Sequence, residues 1–187
     1  MIDPYSTHQL VLLDVLKRTS KPVLEFGSGD YSTPQIHEIC NNRMVITVDD
    51  SKVWLSRYCL LETELHKFVF VENEKELQTF FAKNKTDWGL VFVDNGTWHS
   101  RILTINKYRN TADYLIIHDC DYFPNNGFFG EIVRNTGIRT YDNIFKYWIE
   151  FYVEGSDKNS PPTLLGSNKI DLKDIEIKGM IISNRNQ

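Results

Sequence analysis

Residues 23–33 read Val-Leu-Glu-Phe-Gly-Ser-Gly-Asp-Tyr-Ser-Thr: an apolar run that admits one acid, a loop with two glycines, then the opening of a helix. A second apolar run, Val45-Ile46-Thr47-Val48-Asp49, also closes on an acid. Short apolar runs of this kind suit strands buried on both faces, as in a parallel sheet covered by helices. Glycines at the first strand-to-helix turn let the backbone approach a ligand, and an acid closing the second strand can bind both hydroxyls of a ribose. Together the two runs point to a doubly wound α/β fold with a nucleotide-type ligand above its first two strands.

The alternation continues along the chain. Apolar spacing predicts helices over about residues 7–19, 32–41, 53–61, 74–83 and 100–110, with Thr7 and Ser32 as caps. Strands are expected at about 22–26, 44–48, 68–71, 90–94 and 114–119. Five such units make a parallel sheet with right-handed crossovers. Beyond Phe145 the pattern changes. Phe145–Val153 is aromatic and β-branched, residues 155–162 are turn-rich, and either 163–166 or 179–183 supplies a returning strand. Two late strands without an intervening helix predict a terminal antiparallel hairpin on a mostly parallel seven-stranded sheet. The reading is one domain over 1–187, with a core of about 20–167 and an extension over about 168–187.

Finer details of the loop separate ligand classes. A dinucleotide turn reads Gly-x-Gly-x-x-Gly, the last glycine allowing close helix packing; here the third small position is Ser32. No lysine follows the glycines, so the loop is not a P-loop. Glu25 stands two residues before Gly27. Acid, one residue, then Gly-x-Gly is the first motif of the class I S-adenosylmethionine-dependent methyltransferases, and residues 25–29 with Asp49 resemble that family. The resemblance covers about residues 20–165. It implies the Rossmann-like methyltransferase fold and S-adenosyl-L-methionine as cofactor. It further implies that Gly27, Ser28 and Gly29 pass under the methionine part and Glu25 helps hold its ammonium. Asp49, or Asp50 one step on, would take the ribose, and Glu72 or Asn73 the adenine amine.

In an open parallel sheet ligands sit beyond the carboxyl ends of the strands. The remaining strand ends carry Asp94 and Asn95, then His118, Asp119 and Asp121. The segments Asp94–Arg101 and His118–Tyr122 resemble a subset of small-molecule and sugar O-methyltransferases, the macrocin type among them. There an Asp-x-x-His segment after the fourth strand faces a His-Asp segment after the fifth. The match falls on Asp94, His99, His118 and Asp119, with some slack in the loop before His99. The chain departs from that subset in lacking a Gly-Gly turn before the fifth strand, where it has Asn110-Thr111-Ala112-Asp113.

By this resemblance and that to catechol O-methyltransferases, Asp94, Asp119 and Asp121 would hold Mg2+. His99 or His118 would be the general base, imidazole titrating near neutrality. Plainer roles stand beside these. Asp94 would hold the cofactor's amine without a metal, His118 would pack the strand end and His99 would sit in a solvated loop. Asp119 and Asp121 would cap a turn. Arg101 reads as a helix-surface residue, His8, His37 and His66 as surface or helix residues, and Trp54 as core. Tyr122, Phe123, Phe128 and Phe129 read either as an acceptor wall or as core.

Bulk properties narrow the partners. A net charge of -4 provides no basic field to gather nucleic acid. No apolar run approaches the roughly 20 residues that span a bilayer, and the first residues lack a signal-peptide layout. Cys40, Cys59 and Cys120 show no Cys-x-x-Cys spacing, consistent with reduced thiols and a cytoplasmic setting. The expected activity is methyl transfer to oxygen on a small molecule or glycan. Methylation of a protein or nucleic acid is the rival, and a non-catalytic module of the same fold the second. So short a chain leaves little for a lid, and a second subunit in a homo-oligomer is one way to complete the acceptor pocket.

Overall fold

The computed structural model describes residues 3–120, 131–132, 139–156 and 160–186. Five strands and five helices alternate over the first two thirds: α1 (Gln9–Arg18), β1 (Val23–Phe26), α2 (Thr33–Ile39), β2 (Val45–Asp49), α3 (Lys52–Arg57), β3 (His66–Phe70), α4 (Glu74–Lys83), β4 (Leu90–Val93), α5 (Trp98–Tyr108) and β5 (Tyr114–Ile117). A two-stranded ribbon, β6 (Glu131–Ile132) and β7 (Arg139–Thr140), precedes three longer strands, β8 (Tyr147–Val153), β9 (Thr163–Ser167) and β10 (Met180–Arg185).

The main sheet runs β10-β8-β9-β5-β4-β1-β2-β3. β1 to β5 pair in parallel; β9 enters antiparallel between β5 and β8, and β10 closes the edge antiparallel to β8. The sheet therefore has eight strands rather than the expected seven. Both candidate return strands form. Gly179, at φ 85, turns the tail back along β8, and this edge strand alternates partly buried with exposed residues, Ile181 being 52% exposed. No helix among the described residues is long and apolar enough to cross a membrane.

Every residue of β1, β4 and β5 is buried, and their alternate side chains enter two separate cores. Leu24, Phe26, Val91, Val93, Leu115 and Ile117 meet Leu77, Phe80 and Phe81 of α4 and Ile105 and Tyr108 of α5. Val23, Leu90, Phe92 and Ile116 meet Val11, Leu12, Val15 and Leu16 of α1 and Ile36 of α2. At about 25 cal/mol per Å2 of apolar surface removed from water, these two layers supply most of the drive to fold. The period of two also fixes where the polar residues go. Glu25 follows Leu24 and so points to the α1–α2 side, whereas Phe26 points to the α4–α5 side.

Two expected helix caps are used otherwise. His8, not Thr7, precedes α1, and the Thr7 hydroxyl lies 2.9 Å from His118 Nε2. Ser32 precedes α2 without capping it by its side chain.

Candidate active site

Gly27 sits at φ 90, a left-handed conformation that favours glycine, and a Cβ there would lie 2.4 Å from the Asp94 carbonyl oxygen. Its bareness serves the close approach of β1 to the end of β4. At Gly29 a Cβ would meet only Ser32 Oγ, at 3.4 Å. Asp49 ties the loop to β2. Its Oδ2 accepts from the Ser28 amide (2.7 Å) and hydroxyl (2.6 Å), and its Oδ1 from the Ser51 amide (2.7 Å). A carboxylate has about four acceptor sites, so these bonds leave Asp49 capacity for a further donor. Asp50 beside it is exposed.

Glu25 is fully buried and does not line the cleft. It accepts from Thr33 Oγ1 at 3.1 Å and Thr47 Oγ1 at 2.6 Å. Burial pushes its pKa up to about 7, against the opposing pull of the Ser32, Thr47 and Thr33 hydroxyls. Thr47 also contacts His66 Nε2 at 2.9 Å, and His66 meets His37 ring to ring, so His66 is interior rather than surface. Glu25 thus binds β1, β2 and the start of α2 together instead of facing a ligand.

Beyond the strand ends lies a cleft of two lobes that share Asp49 and Asp50. The smaller, of about 190 Å3, is walled by Phe26, Val48, Val71, Leu77 and Leu103, with Glu72, Asn73 and Asn95 offering polar groups. Asn95 is buried. Its Nδ2 donates to Ser100 Oγ at 2.7 Å, while its Oδ1 has no partner. An orphaned buried acceptor in an apolar slot suits a flat ring bearing an amine. The larger lobe, of about 730 Å3, is lined by the glycine loop, Tyr5, His8, Trp54, Asp94, Arg101, His118 and Asp119. Trp54 is 40% exposed on this rim, against the expectation that it is core. Arg57 stacks on it, 4.4 Å from its ring.

The floor of this lobe is a polar cluster. Arg101 is buried; its Nε donates to the Asn95 carbonyl (2.6 Å), Nη1 to the His118 carbonyl (2.9 Å) and Nη2 to Asp94 Oδ1 (2.9 Å). It is an internal clamp, not the surface residue expected, because α5 starts just after the β4 loop and turns its first buried position inward. His118 lies between two acids, Nδ1 at 3.2 Å from Asp94 Oδ1 and Nε2 at 3.3 Å from Asp119 Oδ1. Burial opposes its charge, but the contact and charge of Asp94, with Asp119, outweigh this and raise its pKa. Burial likewise works against the Asp94 carboxylate, yet His118 and Arg101 bring its pKa below the usual range.

His8, expected at the surface, is buried here, its ring 4.5 Å from that of His118. Neither of its nitrogens makes a hydrogen bond of good geometry. Burial, then the neighbouring His118, holds its pKa down to about 3, so it is neutral.

The sequence-derived residues therefore divide. The fold gathers Gly27, Ser28, Gly29, Asp49, Asp50, Asp94, His118 and Asp119 around the larger lobe, with Glu72 on the smaller one. His99 is not gathered with His118. It caps the opposite lobe as an exposed side chain 3.2 Å from Glu74, because the first turn of α5 directs it towards α4. Asp121, Tyr122, Phe123, Phe128 and Phe129 lie outside the described residues. Sequence reasoning passed over Thr7, His8, Asn95 as an acceptor, and Arg101. Only Asn95, beside Asp94 at a strand end, carried a local signal.

Mg2+ requires a shell of oxygens in strict octahedral geometry. Asp94 here faces Arg101 and His118, and the other side chains converging on it are imidazoles. Of the three carboxylates expected to hold Mg2+, Asp94 and Asp119 line the larger lobe, and Asp121 lies outside the described residues.

No protein-family model matches the chain, and no curated protein matches it by sequence. Solved structures do match in fold. A spermidine synthase from Thermotoga maritima is 15% identical, with a TM-score of 0.57 over 88% of this chain and 60% of that one. A putative caffeoyl-CoA O-methyltransferase from Staphylococcus aureus is 18% identical, with a TM-score of 0.54 over 88% of this chain and 83% of that one. The N-methyltransferase NodS from Bradyrhizobium japonicum WM9 is 10% identical, with a TM-score of 0.50 over 84% and 90%. The chain has the Rossmann-like class I methyltransferase fold. It spans less than two thirds of the synthase's length.

Proposed function

We propose that this protein is an S-adenosylmethionine-dependent methyltransferase that acts on a hydroxyl of a small molecule or glycan. One observation carries the reading: the orphaned Asn95 Oδ1 in an apolar slot that adjoins the glycine loop through Asp49 and Asp50. The slot fits adenine, with Asn95 accepting from its amine and Glu72 and Asn73 at its edge. Asp49 and Asp50 accept from the ribose. Gly29 and Ser28 border the methionine part. Among the described residues no free lysine or arginine lines the cleft to bind phosphate, which fits a sulfonium better than a pyrophosphate.

The cofactor supplies an electrophilic methyl group, so the chain's task is alignment and proton removal. In this reading the proton goes to Asp119. Its side chain is 31% exposed where that of His118 is 3%, and it lines the larger lobe. Its φ of 53 is unusual for a residue with a Cβ, a kind of strain that concentrates at functional positions. His118 holds Asp119 from below, and Arg101 fixes the loop that carries both. Glu25 and His99 take no chemical role in this reading.

Calorimetric titration with S-adenosylmethionine, S-adenosylhomocysteine and NAD tests it. Saturable binding of the first two and not of NAD is expected, followed by methyl transfer in a screen of hydroxyl acceptors. Binding of none of them sinks the reading in favour of a non-catalytic module. Transfer to RNA or protein alone replaces the acceptor class.

A further inference from the structure

Three side chains on the floor of the larger lobe, from three parts of the chain, offer donor atoms that all lie within 4.8 Å of one another: His8, Asp94 and His118. Two imidazoles and one carboxylate form a borderline donor set of the kind that suits first-row transition ions and zinc rather than magnesium. We propose that His8, Asp94 and His118 bind a divalent ion of the zinc class at the acceptor end of the cleft.

Each donor is prepared differently. His8 is buried, and neither ring nitrogen makes a hydrogen bond of good geometry, the backbone of Tyr31 being the polar group near it; a poorly satisfied buried polar group ordinarily costs about 1–3 kcal/mol. A metal ion would satisfy one of the two nitrogens. His118 is oriented through its far nitrogen, because Nε2 faces Thr7 Oγ1 at 2.9 Å and Asp119 Oδ1 at 3.3 Å. That leaves Nδ1 towards Asp94, 3.2 Å from its Oδ1, a contact that a shared ion would replace. A carboxylate holding the outer nitrogen of a ligating histidine is the usual outer-shell arrangement at metal sites. Asp94 is steadied by Arg101 through Oδ1 and keeps Oδ2 for the ion. All three residues border the larger lobe, with Asp94 the most exposed of them, so an ion held here would sit at the floor of the cleft.

The segment that brings His8 is pinned in place. Asp3 accepts from the Tyr5 amide at 2.9 Å and from the Tyr31 hydroxyl, beside the glycine loop, at 2.7 Å. The N-terminal segment thus completes a site begun by β4 and β5.

A divalent ion here would lower the pKa of an acceptor hydroxyl. It would remove the weakness of a carboxylate base such as Asp119, which on its own deprotonates an alcohol poorly. That catalytic role rests on the methyltransferase reading; the metal site does not.

The test uses untagged, chelator-stripped protein titrated with Zn2+, Co2+ and Mg2+ by calorimetry, with the visible spectrum followed for Co2+. One equivalent of Zn2+ or Co2+ is expected, with Co2+ absorption free of a thiolate charge-transfer band, and no saturable Mg2+ binding. His8→Ala should weaken Zn2+ binding by at least about tenfold, since even outer-shell losses cost that much. Unchanged Zn2+ affinity in His8→Ala, uptake of Mg2+ in preference, or no uptake of Zn2+ by the wild type overturns the site. Should His8→Ala not fold, X-ray absorption of the zinc-loaded wild type decides. Two imidazoles in the shell support the site, whereas sulfur ligands or fewer than two imidazoles overturn it. Cofactor titration on the same stripped protein keeps the two readings apart, because failure of one leaves the other's signal intact.

Discussion

The guanidinium of Arg101 sits 2.9 Å from Asp94 Oδ1 and reaches the backbone carbonyls of Asn95 and His118 with its other two donors. One side chain of α5 therefore fixes the ends of β4 and β5, the two strand ends that form the acceptor side of the cleft. Lysine has neither the fork nor the reach to do the same. Arg101→Lys should lower stability by about 2–3 kcal/mol, less than breaking a fully buried pair costs, because the charge is kept and Asp94 is partly exposed. Denaturant unfolding measures it; a midpoint equal to the wild type's would show that the clamp is not structural.

Asn95 offers a sharper test of the slot. If its Oδ1 accepts from the adenine amine, Asn95→Ala should weaken S-adenosylhomocysteine about tenfold, the value of one hydrogen bond to a buried group. The inosine analogue, which lacks that amine, should bind the wild type weakly and be indifferent to the substitution. Equal losses for both ligands would move Asn95 to a loop-supporting role through Ser100.

The neighbouring acids should separate by stability. Asp49→Ala removes three internal hydrogen bonds along with the ribose acceptor, so melting temperature and cofactor affinity should fall together. Asp50→Asn should reduce affinity about tenfold while leaving the melting temperature in place. A cofactor affinity unchanged in Asp49→Ala would remove that residue from the ribose site.

Glu25 predicts a pH dependence. Its pKa is raised from 4.5 to about 7 in the folded protein by burial, so the native state favours the protonated carboxyl. The contribution to stability is full below pH 4.5 and is lost as pH rises through about 7. A shift of this size corresponds to about 3 kcal/mol. Relative to the wild type, Glu25→Gln should gain stability between pH 5 and pH 8.5, by denaturant unfolding at the two values. A difference that does not change with pH would contradict the assignment.

The sequence determined the layers, the parallel sheet and the ligand edge. Those depend on local period, on apolar runs such as Leu90–Val93, and on glycines at one turn, all of which act over a few residues. It also marked the strand ends, where Asp49, Asp94 and His118 stand, because polar residues after buried strands have few other places to go. Only the tertiary structure decided how these residues are used. Glu25 is diverted under α2 by the alternation of β1, and His99 is sent to the far lobe by the first turn of α5. His8, just before α1, and Arg101, in α5, enter the acceptor floor from segments distant in sequence. No local pattern encodes such convergence: it follows from the packing of α1 and α5 on opposite faces of one sheet, which brings side chains about a hundred residues apart into contact.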